Sequence, residues 1–94
     1  MTVRKILCCC ESGLGSSIIV QMNTEETLRR LERTDIAVDH TTIASLADCD
    51  ADLYVVGWDL EGAMLTIPES KKIILRNILD KHELEVKLKP FLDD

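Results

Sequence analysis

An almost continuous apolar run, Thr2 to Cys9 with only Arg4-Lys5 interrupting it, stops at Cys10-Glu11-Ser12-Gly13-Leu14-Gly15-Ser16-Ser17. A short run without polar alternation reads as a strand buried on both faces, the kind found inside parallel sheets. Behind it, two glycines and three serines make a loop. A helix is expected from about Ser16 to Arg33, carrying Ile18, Ile19, Met22, Leu28 and Leu31 on its apolar stripe, with Glu25 close to that stripe. The acidic pair Glu25-Glu26 followed by Arg29-Arg30 suits the helix dipole. The chain therefore begins as strand, small loop and helix, with a thiol where the buried strand ends.

The rest repeats that alternation. Asp35 to Ile43 is β-branched, with Ile36 and Val38 alternating and a weaker His40, and reads as a second strand at a sheet edge. Leu46 to Asp52 is a connection. Leu53 to Gly57 is a short apolar strand of central type, and Lys71 to Leu75 is a fourth strand. Between them, Gly62 and Pro68 oppose one long helix over Trp58 to Pro68. Near the end, Leu84, Val86 and Leu88 alternate like a strand, whereas Leu84, Leu88, Phe91 and Leu92 have helical spacing. Asp80 with Glu83 three residues on forms a capping pair and favours a helix, which Pro90 should distort or end early. Strands alternating with helices predict an α/β fold. We expect a three-layer sandwich: a four-stranded, mostly parallel sheet with helices on both faces, forming one domain over residues 1–94.

Composition narrows the function. The formal net charge is -6 and no cluster of Lys or Arg occurs, which argues against nucleic-acid and anionic-membrane binding. No run approaches the roughly 20 apolar residues of a membrane span, and no signal-peptide pattern opens the chain, so a cytosolic protein is expected. Adjacent Cys8, Cys9 and Cys10 cannot easily meet disulfide geometry, and with Cys49 they lack zinc-ligand spacing. Along a strand, Cys8 and Cys9 point to opposite faces and read as core residues. No metal or cofactor site is expected.

Cys10 differs because the glycine loop begins directly after it. The first N–H groups of a helix lack partners and the peptide dipoles add there, so a loop running into a helix start favours both an anion and a thiolate. Gly13 and Gly15 permit close backbone approach, and Ser12, Ser16 and Ser17 add hydroxyl donors or cap the helix. A nucleophile beside a phosphate cradle points to phosphoryl chemistry on sulfur. Three other readings compete. A low-molecular-weight phosphatase shares a loop of this kind after its first strand, but its C-x5-R pattern meets Ser16 here instead of Arg, leaving no bidentate clamp for phosphate. A nucleotide-binding module needs a third glycine and a downstream acidic residue. A redox sensor needs a resolving thiol, and adjacent Cys9 is badly placed for it.

Cys10-x-x-Gly13-x-Gly15-Ser16-Ser17 after an apolar strand resembles the phosphocysteine loop of the enzyme IIB components of the bacterial sugar phosphotransferase system. The likeness is strongest to the ascorbate-type branch within the lactose/cellobiose and galactitol-like group. It extends to the chain length and to Arg76-Asn77 after the fourth strand. The resemblance implies a relay in which Cys10 takes a phosphoryl group from a phosphohistidine on enzyme IIA. In that relay Cys10 then passes it to a sugar held by the membrane component, enzyme IIC, with ascorbate the sugar that the branch resemblance implies. It further implies that Glu11, Ser12, Gly13, Leu14, Gly15, Ser16 and Ser17 form the phosphate loop, and that the free chain is a monomer located at the membrane only through enzyme IIC. Two departures stand out. Glu11 puts a carboxylate beside the nucleophile, where it repels phosphate unless it points outward. The Trp58-Asp59-Leu60-Glu61 segment is similar to the family only in position. His40 and His82 are expected at the surface or sheet edge, and Trp58 either in partial core packing or at a partner contact.

Overall fold

The computed structural model describes residues 3–10, 16–42, 50–58, 60, 62 and 67–92. Four strands, β1 (Lys5–Cys10), β2 (Ala37–Thr42), β3 (Leu53–Gly57) and β4 (Lys72–Leu75), form one sheet in the order β2-β1-β3-β4. Every pairing is parallel, so the α/β class expected above holds with a sheet parallel throughout. Among the described residues the α-helices are α1 (Ser16–Arg30) and α2 (Lys81–Leu92), and a 3-10 turn at Glu69–Lys71 leads into β4. The weakly patterned β2 lies at an edge. The two strands with apolar runs, β1 and β3, are central, and β3 is buried along its whole length.

Strand order determines which layer each connection enters. The step from β1 to β2 runs one way across the sheet, and the steps from β2 to β3 and from β3 to β4 run the other way. One handedness agrees with α1 on one face and Ala51, Leu60 and Ile67, from the later connections, on the opposite face. After β4 no further strand follows, and α2 packs beside α1. On their shared face Ile6, Cys8, Leu53, Val55, Ile73 and Leu75 meet Val20 and Leu28 of α1 and Leu84, Leu88 and Leu92 of α2. The opposite face buries Leu7, Cys9, Tyr54 and Val56 against Ala51, with Leu60, Ile67 and Ile74 partly buried there. Cys8 and Cys9 thus fall on opposite faces as the strand period requires. Arg30 and Lys81 form ion pairs across the helix pair, with Glu85 at 2.7 Å and Glu26 at 2.9 Å.

Three expectations are corrected. The helix foreseen to Arg33 ends at Arg30. Glu32 takes a left-handed φ of 59°, and the amides of Glu32 and Arg33 turn back to the carbonyls of Arg29 and Leu28 at 3.1 and 2.8 Å. That is the Schellman arrangement, built here on Glu where glycine is usual. The buried face of α1 is also different: Val20, Thr24, Thr27 and Leu28 face the sheet, and Ile18, Ile19 and Met22 are exposed. The Thr24 hydroxyl tolerates that burial by donating to the Val20 carbonyl at 2.7 Å. Finally, α2 continues past Pro90 to Leu92. Proline removes the bond to the carbonyl four residues back. Here that carbonyl belongs to Val86, which is 54% exposed and so lies on the solvent side of the helix.

Candidate functional site

In open parallel sheets, ligands gather beyond the carboxyl ends of the strands. At that rim Cys10 is the last residue of β1, level with Thr42 of β2. Cys9 pairs with Val56, and Gly57 with Leu75, so Cys10, Gly57 and Leu75 end their strands at one height. Five residues separate Cys10 from Ser16, the first residue of α1. Strand end, short loop and helix start therefore follow each other as the sequence predicted. Glu11, Ser12, Gly13, Leu14 and Gly15 lie outside the described residues, as do the side chains of Cys10, Ser16 and Ser17. Cys49, Asp59 and Glu61 also lie outside them.

The neighbouring thiols are structural. Cys8 is fully buried, its Sγ 3.9 Å from the Thr24 hydroxyl, and burial pushes its thiol up to about 12. Such a thiol carries almost no nucleophilic thiolate at neutral pH. Cys9 is buried on the other face, with its Sγ 3.8 Å from the Leu7 carbonyl. His40 stands on the edge strand, its Nδ1 against Gln21 Oε1 of α1. His82 is exposed in the first turn of α2.

Beyond β3 and β4 the rim holds a group of side chains that sequence reasoning did not bring together. Trp58, directly after β3, is 63% exposed. Trp58, Ile74, Arg76 and Lys87 line a cavity of about 450 Å³. Its floor is tied down by α2. The Glu83 carboxylate accepts the backbone N–H groups of Arg76 and Asn77 at 2.8 and 2.9 Å. The Lys87 ammonium donates to Glu83 and to the Ile74 carbonyl, both at 2.7 Å. Burial opposes the charge on Glu83, but Lys87 and the two amides outweigh it and hold the carboxyl at about 2. The expected capping pair is thus only half made. Asp80 Oδ1 caps the amides of His82 and Glu83, while the Glu83 side chain reaches back to the end of β4 instead. The signal for this cluster was Arg76, a cation placed directly after an apolar strand, together with the Glu83–Lys87 spacing on one helix face.

Helix α1 begins with exposed Ile18, Ile19 and Met22, the last 62% exposed. Residues 18 and 22 are one helical turn apart, so these side chains form a single apolar patch.

The family model for the phosphotransferase-system lactose/cellobiose-specific IIB subunit matches residues 5–90. The mannitol-specific EIICBA components of Klebsiella pneumoniae and of Escherichia coli (strain K12) are each 34% identical to this chain over 79 residues. Those alignments cover 83% of this chain and 12% of each relative. A family match that runs from the first strand into the last helix, over a parallel sheet with a cysteine ending its first central strand, leads to one assignment: this chain belongs to the lactose/cellobiose-specific IIB subunit family of the sugar phosphotransferase system.

Proposed function

We propose that the chain is a phosphoryl carrier, with Cys10 as the residue that is phosphorylated. The observation that carries this reading is the position of Cys10 at the carboxyl rim of the sheet, with five residues between it and the first residue of α1. Phosphoryl transfer is mainly positioning and charge stabilisation. A thiolate at a strand end that leads within a few residues into a helix start would have both. The thiolate attacks phosphorus in line, the P–N bond of the phosphohistidine on enzyme IIA breaks, and the imidazole keeps that electron pair. The phosphocysteine then gives its phosphoryl group to a sugar hydroxyl held by enzyme IIC, and the thiolate is restored. Amides and hydroxyls from Glu11 to Ser17 bind the three non-reacting oxygens, and the loop lacks the arginine that would favour hydrolysis. Among the described residues no helix is long and apolar enough to cross a membrane.

Gly15-Ser16-Ser17 makes ascorbate the proposed sugar. The 34% identity to mannitol-specific components supports an open-chain polyol as the second reading. Incubation with phosphoenolpyruvate, the general phosphotransfer proteins and cognate enzyme IIA, followed by intact-mass measurement, tests the carrier. One added phosphoryl group is expected. It should be lost in Cys10→Ser and kept in Cys8→Ala and Cys9→Ala. Phosphorylation that survives Cys10→Ser overturns the proposal. Adding enzyme IIC membranes with ascorbate or mannitol identifies the acceptor by which one discharges the carrier.

A further inference from the structure

We propose that the cavity between Trp58 and Arg76 is a docking seat for a carboxylate side chain of the phosphoryl-donor protein. The inference rests on the carrier reading and adds the chemistry by which the donor is held. Four observations support it.

The cavity lies on the rim where transfer must occur. Strands in a sheet are about 5 Å apart, so β4 stands about 10 Å from β1 and Cys10, within the footprint of any protein that reaches the sulfur. Its charge is positive and unspent. Lys87 is neutralised by Glu83 at 2.7 Å, whereas the Arg76 guanidinium has no ion-pair or hydrogen-bond partner among the described residues. In a chain of net charge -6, a guanidinium left open at the working rim selects a negative group against a background that repels one.

The third observation is rigidity. The Arg76 backbone is clamped by Glu83, so the guanidinium extends from a base that does not need to be ordered on binding. The fourth is Trp58, whose exposed ring supplies the other wall. Tryptophan and arginine are the two residue types most enriched in binding hot spots, and together they fit an acidic side chain flanked by an aliphatic one. Ile18, Ile19 and Met22, exposed in the first turns of α1, add apolar surface that the same donor could cover.

The experiment is saturation kinetics of phosphoryl transfer from phosphorylated enzyme IIA to the chain. Arg76→Glu should raise KM for the donor about 10-fold or more and leave kcat within about twofold, since the residue positions the partner and does not touch phosphorus. Trp58→Ala should raise KM about 5-fold, and Arg76→Lys should recover part of the loss because it keeps the charge without the planar fork. Added salt should weaken donor binding to wild type more than to Arg76→Glu. Variants with unchanged melting temperature and unchanged KM would overturn the seat while leaving the carrier intact. So would a Trp58 emission change with inorganic phosphate alone, with donor KM unaffected, because the cavity would then serve a small anion. A wild-type chain that takes no phosphoryl group at all would instead remove the carrier reading beneath the inference.

Discussion

The two rims of the sheet use the same device to opposite ends. At the amino rim, Asp52 accepts the backbone N–H groups of Arg4 and Lys5 at 2.9 and 3.1 Å, and its own amide donates to the Lys5 carbonyl at 3.0 Å. At the carboxyl rim, Glu83 likewise accepts two adjacent backbone amides, those of Arg76 and Asn77. The amino-rim carboxylate joins the start of β1 to the start of β3. The carboxyl-rim one fixes the wall of a cavity beside an exposed tryptophan and an open guanidinium. A carboxylate bridging two amides is therefore a stitch at one end of the sheet and a foundation for binding at the other. The difference comes from what surrounds it: the carboxyl rim also carries Cys10 and the start of α1.

Substitutions at the two rims separate these roles. Asp52→Ala has the largest expected effect on stability, about 2 kcal/mol from two charge-assisted hydrogen bonds, measured by urea unfolding. It should leave the rate of phosphorylation by enzyme IIA unchanged. A loss of transfer matching that of Arg76→Glu would break the contrast between the rims.

Glu83→Gln should cost less, about 1 kcal/mol at pH 7 after allowance for solvent screening. Its signature is pH dependence. The Glu83 carboxyl is held at about 2 against an ordinary 4.5, so its stabilisation is complete above pH 4.5 and fades as pH falls towards 2. Wild type and variant should therefore converge in that window, as read by urea midpoints at each pH. Curves that stay parallel across the window would show that the carboxylate charge does not hold the rim together.

Met22→Lys should have the smallest effect on the fold, within about 0.5 kcal/mol, because the side chain is already exposed. Transfer from enzyme IIA should nevertheless slow, through KM. A variant with normal transfer would confine the partner face to the Trp58 side of Cys10.

Much of the fold was legible because its signals are local. The bounds of β3, Leu53–Gly57, and the edge position of β2 followed from apolar continuity in one and its weakness in the other. Opposite faces for Cys8 and Cys9 followed from the two-residue strand period. The face of α1 was misread because apolar count is a poor guide when a threonine can satisfy its hydroxyl within its own helix. Thr24 donates its hydroxyl within its own helix and enters the core, which leaves Ile18 and Met22 outside. Pro90 was misread for a related reason: its cost depends on whether the orphaned carbonyl meets water, and a sequence does not show which side of the helix that is. Of the candidate site, the succession of strand end, loop and helix start was readable in order and spacing. The seat on the far side of Cys10 was not.

By itself the sequence determined the local order of the candidate site. An apolar run stopping at Cys10 and a helix beginning at Ser16 put a strand end ahead of a helix start, with five residues between them, in any parallel sheet that buries the run. These are properties of neighbours along the chain, and backbone sterics and burial dictate them locally. Only tertiary structure decided that β4 lies next to β3, bringing Arg76 level with Trp58 across eighteen residues of sequence, and that Glu83 turns from its own helix start to the end of β4. Those pairings depend on strand order and register, and such long-range contacts leave no periodic mark in the sequence they join.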